Sequence, residues 1–131
     1  MTNISQYFDI IYSVLNHSIA SDYQIDCIVI RSTEGIVRGT AYFFDSSSLE
    51  FTERIEIRSR QPVKQAYRYQ YIKENERIFG YDTSPHHPHL PTFPHHKHEG
   101  RRIVAANEPT LQQVLDEILT LLEQASTNTY G

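Results

Sequence analysis

The sequence predicts an α+β domain: an antiparallel five-stranded meander sheet flanked by an N-terminal and a C-terminal helix, with a long His/Pro-rich loop before the last helix. Three observations predict it. Apolar residues recur at helical spacing at both ends of the chain. Period-two alternation fills residues 25–82, and the stretch "PHHPHLPTFPHHKH" at 85–98 obeys neither period.

The first helix is marked by Ile4, Tyr7, Phe8, Ile11, Leu15 and Ile19, and Asn3 with Gln6 forms a capping box at its start. Ile25 to Ile30 reads as a strand, closed by the turn residues Ser32, Thr33, Glu34 and Gly35. Residues 36–44 make the second strand, and Asp45-Ser46-Ser47-Ser48 the next turn. In the third strand Leu49, Phe51, Ile55 and Ile57 alternate with Glu50, Thr52, Arg54, Glu56 and Arg58. Glu53 falls on the apolar face. A carboxylate there is either turned outward by a bulge or a placed, pKa-tuned group, which makes Glu53 a candidate catalytic residue.

The fourth strand, 65–72, puts Tyr67, Tyr69 and Tyr71 on one side and Arg68 and Gln70 on the other. Lys73-Glu74-Asn75-Glu76 turns into a fifth strand from Arg77 to Asp82. Thr110 and Gln113 cap a closing helix with the stripe Leu111, Val114, Leu115, Ile118 and Leu122, while Asp116, Glu117 and Glu123 face water. If both helices cover one face of the sheet, the other face is left for the loop from 83 to 107.

A chain of 131 residues fits a single domain over 1–131, and one cysteine, Cys27, excludes a disulfide framework. The first twenty residues lack the basic start of a signal peptide, and no apolar run approaches the ~20 residues that span a bilayer. A soluble cytoplasmic protein with no membrane contact is expected. The net charge of −4 is unevenly shared. Residues 54–102 hold ten of the twelve Lys and Arg against five acids, and the remainder is strongly acidic. Such asymmetry is the footprint of a domain that faces phosphates along one part of its surface.

Six of the seven histidines sit between residues 85 and 98, as two PHHxH clusters. A loop this long in a compact domain is functional or disordered, and Pro85, Pro88, Pro91 and Pro94 stiffen this one while Leu90 and Phe93 anchor it. Three readings compete. His87 with His89, and His96 with His98, can pinch a metal ion such as zinc in an extended chain, although no Cys and no HExxH helix accompanies them. Alternatively, two imidazoles act as general acid and base in cleaving an RNA backbone, with Lys97, Arg101 and Arg102 holding phosphate. Tyr67, Tyr69, Tyr71, Tyr81 and Phe93 then offer stacking faces for bases. The third reading is a polar lid whose histidines cap loop carbonyls.

The stretch "IFGYDTSPHHPHLPTFPHHKH", with "YRYQY" upstream and "EPTLQQVLDEI" downstream, resembles the TumE-like toxins of bacterial toxin–antitoxin modules. The likeness spans nearly the whole chain, including "GIVRGTAYFFDSSSLEFTE". Tyr81, Asp82, His86, His87, His95, His96 and His98 match the family's motifs. The chain departs from them at Gly80, where the pattern carries Arg, at Thr83, where it carries Asn, and at His89, where an acid is common. The resemblance implies a toxin held in check by a cognate antitoxin, typically one with a helix-turn-helix domain. Residues and resemblance together favour a metal-independent endoribonuclease without cofactor. Its catalytic set is then His86, His87, His95, His96 and His98, with Asp82 orienting an imidazole and Glu53 as a further candidate. Lys97, Arg101, Arg102, Arg68 and Tyr81 bind RNA, and a homo-oligomer is compatible with all of this. The competing expectations are a zinc-dependent nuclease or hydrolase using the same histidines as ligands, and a non-catalytic module that binds an antitoxin or nucleic acid.

Overall fold

The computed structural model describes residues 1–130. Helix α1 spans Ile4–Asn16, followed by β1 (Asp22–Arg31), β2 (Glu34–Tyr42), β3 (Ser48–Arg58), β4 (Gln61–Lys73) and β5 (Glu76–Asp82). Two short strands come next, β6 (His96–Glu99) and β7 (Arg102–Ala105), and α2 (Leu111–Tyr130) closes the chain. The strands form one antiparallel sheet in sequence order, seven strands and not five. The helix assignments stand. Asn3 and Gln6 make the reciprocal capping box, and Thr110 and Gln113 do the same for α2. α1 ends three residues before Ile19, where the His17 amide and ring both turn back to the Ser13 carbonyl.

The two extra strands lie inside the stretch read as loop. Gly100, at φ +61, sits in the tight turn that joins them. They escape a hydrophobicity reading because neither face of β6 is apolar. His96 and His98 point to one side of the sheet, Lys97 and Glu99 to the other.

Register pairs place side chains on faces. Glu53 lies opposite Tyr67, and Tyr69 opposite Tyr81, which lies opposite Lys97. Tyr7 of α1 donates to Glu53, and Glu117 of α2 accepts from both Tyr81 and Lys97. Both helices therefore cover the same face. Between them and the sheet lies the core: Ile4, Phe8, Ile11 and Leu15 from α1, Val114, Leu115 and Ile118 from α2, and Val37, Leu49, Phe51, Ile55 and Tyr69 from the strands. Among the described residues no helix is long and apolar enough to cross a membrane.

Glu53 is not turned outward. It is wholly buried in this core, where it accepts from the hydroxyls of Tyr7 and Tyr69 and lies 3.4 Å from Lys64 Nζ. A bulge does exist, but one step further on and in the partner strand. Arg54 pairs with Ala66 and Ile55 with Lys64, so Gln65 is the extra residue. The bulge reverses the alternation of β4 and aims Lys64 at the helices. There its ammonium also donates to Tyr69 Oη at 2.6 Å and to the Pro109 carbonyl at 2.7 Å. Burial, then the charge of Glu53, raises the Tyr7 and Tyr69 phenols well above their ordinary range, so both stay donors to the carboxylate.

Removing one partner of a buried ion pair strands the other. Lys64→Met should lower the unfolding free energy by about 3–5 kcal/mol, seen as a lower urea midpoint at unchanged slope. A midpoint shift worth less than ~0.5 kcal/mol, the range of an ordinary surface change, would mean that the tyrosines alone hold Glu53.

Candidate active site on the open sheet face

The face away from the helices carries two adjacent rungs of polar side chains across the strands. One runs Arg38, Thr52, Arg68, Asp82, His96. The next runs Thr40, Glu50, Gln70, Gly80, His98. His96 and His98 share a side because they are two apart on β6. The loop 83–95 folds over this end of the face in successive turns, with Leu90 N–H on the His87 carbonyl and Phe93 N–H on the Leu90 carbonyl. It brings His87 back over the rungs, its ring centroid 5.0 Å from that of His96 and 6.4 Å from that of His98.

The result is a cleft of about 430 Å³ lined by Tyr67, Arg68, Arg77, Asp82, Ser84, His86, His87, His96 and His98. At its floor Asp82 Oδ1 lies 2.8 Å from His96 Nε2, and Oδ2 lies 3.2 Å from His98 Nε2. The Ser84 amide donates to the same carboxylate at 2.9 Å. His96 is 2% exposed, and its Nδ1 lies 3.1 Å from the Pro94 carbonyl. Burial, followed by the charge of Arg77, pushes the His98 imidazole below its ordinary value, while Asp82 pulls the other way. Another hollow, about 310 Å³ between α1 and the start of α2, has apolar walls from Ile10, Ile11, Val14 and Leu111 and holds none of the histidines.

The family model described as Toxin TumE matches residues 10–126, most of the chain. The chain belongs to the TumE toxin family. It is thus the toxin component of a toxin–antitoxin module, whose partner is an antitoxin. No curated protein and no solved structure matches it.

Among the expected site residues, the sheet separates those in the cleft from those on the helix face. Asp82, Arg68, His86, His87, His96 and His98 meet in the cleft. Glu53, Lys97 and Tyr81 lie on the helix face. Lys97 Nζ binds Glu117 at 2.9 Å and Glu99 at 3.0 Å, above the rings of Phe79 and Tyr81. Burial alone would lower the pKa of this ammonium, but its hydrogen bonds to Glu117, Glu99 and Tyr81 prevail and raise it. Glu117, expected to face water, is turned to this lysine and to Tyr81. His95 stacks on the Tyr67 ring with its Nδ1 2.9 Å from Tyr67 Oη, outside the cleft. Arg101 and Arg102, at the turn into β7, are exposed and do not line it.

Arg77 is the cleft residue that alternation conceals. With Phe79 and Tyr81 at the same parity, it reads as core-facing. Tyr71 pairs with Phe79 but Ile72 pairs with Arg77, so Ile78 is a bulge that rotates Arg77 to the open face. Its stem crosses Gly80, where the TumE pattern carries arginine. A Cβ at Gly80 would lie 2.9 Å from the Tyr69 carbonyl oxygen and 3.3 Å from Arg77 Cδ. The guanidinium reaches the cleft from position 77 instead. Beside it, Arg68 is held through Nε and Nη2 by the Gln70 amide oxygen, at 2.7 and 2.6 Å.

These placements separate two groups of cations by stability. Lys97→Met removes a half-buried hub of charged hydrogen bonds and should cost about 1.5–3 kcal/mol in urea unfolding. Arg101→Gln with Arg102→Gln should stay within ~0.5 kcal/mol of wild type. Equal effects of the two changes would contradict the assigned faces.

Proposed function

We propose that this toxin is an endoribonuclease and that the open-face cleft is its active site. One observation carries the reading: two guanidiniums and four imidazoles converge around a buried carboxylate, on the side of the sheet that no helix covers. Arg68 and Arg77 hold the phosphodiester, donating to its non-bridging oxygens and stabilising the charge that builds on them as the phosphorus becomes five-coordinate. His96 takes no part in proton transfer, because it is buried and both ring nitrogens are engaged. Proton transfer falls to His87 and His86, on the loop at the mouth of the cleft. One takes the proton of the ribose 2′-hydroxyl and the other gives one to the departing 5′-oxygen, which needs imidazoles that exchange protons near neutrality.

Two further observations support RNA as the substrate. Ion pairs occupy much of the basic segment 54–102, including Arg54 with Glu34, Arg58 with Glu56 and Lys73 with Asp45. Arg68 and Arg77 are the basic residues that line the cleft. Phe93, an exposed ring in the same loop as the histidines, offers a stacking face for a base, whereas Tyr67 at the cleft wall is buried against His95. The resemblance to TumE-like toxins supports a helix-turn-helix antitoxin as the partner.

Expression of the wild-type chain alone should arrest bacterial growth, and the purified protein should cut single-stranded RNA. Arg68→Ala with Arg77→Ala should slow cutting at least ~10²-fold. It should also flatten the plot of log affinity against log salt by about 0.7 per arginine. Arg101→Gln with Arg102→Gln should leave the rate within a few-fold. Growth arrest without any RNA cutting would replace the enzyme with a binding module.

A further inference from the structure

We propose that Asp82, His96 and His98 form a binding site for one divalent metal ion of the zinc class, with an open position facing the cleft. One carboxylate oxygen and one nitrogen from each ring all lie within 4.8 Å of one another. Oδ1 of the carboxylate lies 2.8 Å from His96 Nε2 and Oδ2 lies 3.2 Å from His98 Nε2, so both ring nitrogens are aimed at the one carboxylate. In tetrahedral coordination with ligands at ~2.0–2.1 Å, neighbouring donors stand about 3.3 Å apart.

The hydrogen bonding of His96 points the same way. The Pro94 carbonyl only accepts, so its contact with Nδ1 puts the ring hydrogen there. Nε2 then presents a lone pair to a carboxylate oxygen 2.8 Å away. Two acceptors at that distance need a cation between them, either a second ring proton or a metal ion. A ring that donates from one nitrogen to a backbone carbonyl and offers the other inward is the usual support for a metal-binding histidine. The ligands are also rigid: all three stand on paired strands, with Asp82 directly opposite His96 in register.

Two imidazoles and a carboxylate suit zinc and related first-row ions, and three protein ligands leave one position free. That position opens toward His87, Arg68 and Arg77, which line the same cleft. An ion there would polarise the phosphodiester that the arginines hold, so the inference rests on the ribonuclease reading for its purpose, though not for its geometry. The sequence favours chemistry without a metal and leaves zinc as the alternative; the strand-borne triad favours the ion.

The test uses full-length protein purified without a histidine tag, stripped with a chelator and titrated with zinc by calorimetry, with metal analysis after dialysis. Wild type should retain one zinc per chain and melt at a higher temperature with zinc than without. His98→Ala and Asp82→Asn should each weaken zinc binding at least ~10²-fold, since even loss of a supporting contact costs ~10–100-fold. His89→Ala and His95→Ala should still bind one equivalent. Asp82→Asn keeps the shape of the site, so its loss of binding is not a folding failure. Wild type that binds no stoichiometric zinc, or His98→Ala that binds it as tightly as wild type, would overturn the site. RNA cutting is scored separately. Zinc bound without cutting removes the nuclease and keeps the site; full-rate cutting by metal-free protein with no zinc bound does the reverse.

Discussion

Both helices pack on one face of the sheet, and the remaining architecture follows from that asymmetry. A strand shows alternate residues to opposite sides, so the strands beneath α1 and α2 present mostly apolar side chains to them and are free to present anything to the other side. Leu49, Phe51, Ile55 and Ile57 meet the first demand, as do the three tyrosines of β4. The freedom on the other side is used at one end only, where β4, β5 and β6 align Arg68, Asp82 and His96 on one rung and set Gly80 and His98 beside it. The fold need not bury a single imidazole to build its core. It can place His96 and His98 beside Asp82 because neighbouring strands fix side chains about 5 Å apart, and the loop 83–95 adds His86 and His87.

Strict alternation would still misplace two cations, and a bulge corrects each. At Gln65 the irregularity turns Lys64 inward to meet Glu53. At Ile78 it turns Arg77 outward to the histidines. In both cases one inserted residue changes which face a charge occupies, in one case to neutralise a buried carboxylate and in the other to place a guanidinium beside the cleft. The second has a further consequence at Gly80, whose missing side chain is the space through which the Arg77 stem passes.

What the sequence made legible divides along the same line. The helices, their caps and the first five strands follow from periodicity, because each buries an apolar stripe. β6 and β7 do not, because Lys97 and Glu99 on the inner face of β6 are held by ion pairs instead of hydrophobic burial. The histidine clusters stand out by composition, but composition does not mark how they divide. In "HHKH" at 95–98 the strand begins at His96, so His96 and His98 enter the cleft while His95 stacks on Tyr67. Arg77 was hidden by a bulge, which leaves no mark in a single sequence. Membership of the TumE family gives the biological role, and the chemistry rests on the geometry of the cleft.

The central claim is that the face without helices is where RNA is held. Its most direct test is the NMR spectrum of the protein titrated with a 2′-O-methyl RNA oligonucleotide, which binds as substrate does but lacks the reacting hydroxyl. The side-chain signals of Arg68 and Arg77 and the ring signals of His86, His87 and His98 should move, together with the amides of β4, β5 and β6, while those of α1, α2 and β1 stay in place. Shifts confined to the helices or to the β1 edge, with the cleft arginines and histidines unmoved, would contradict the account.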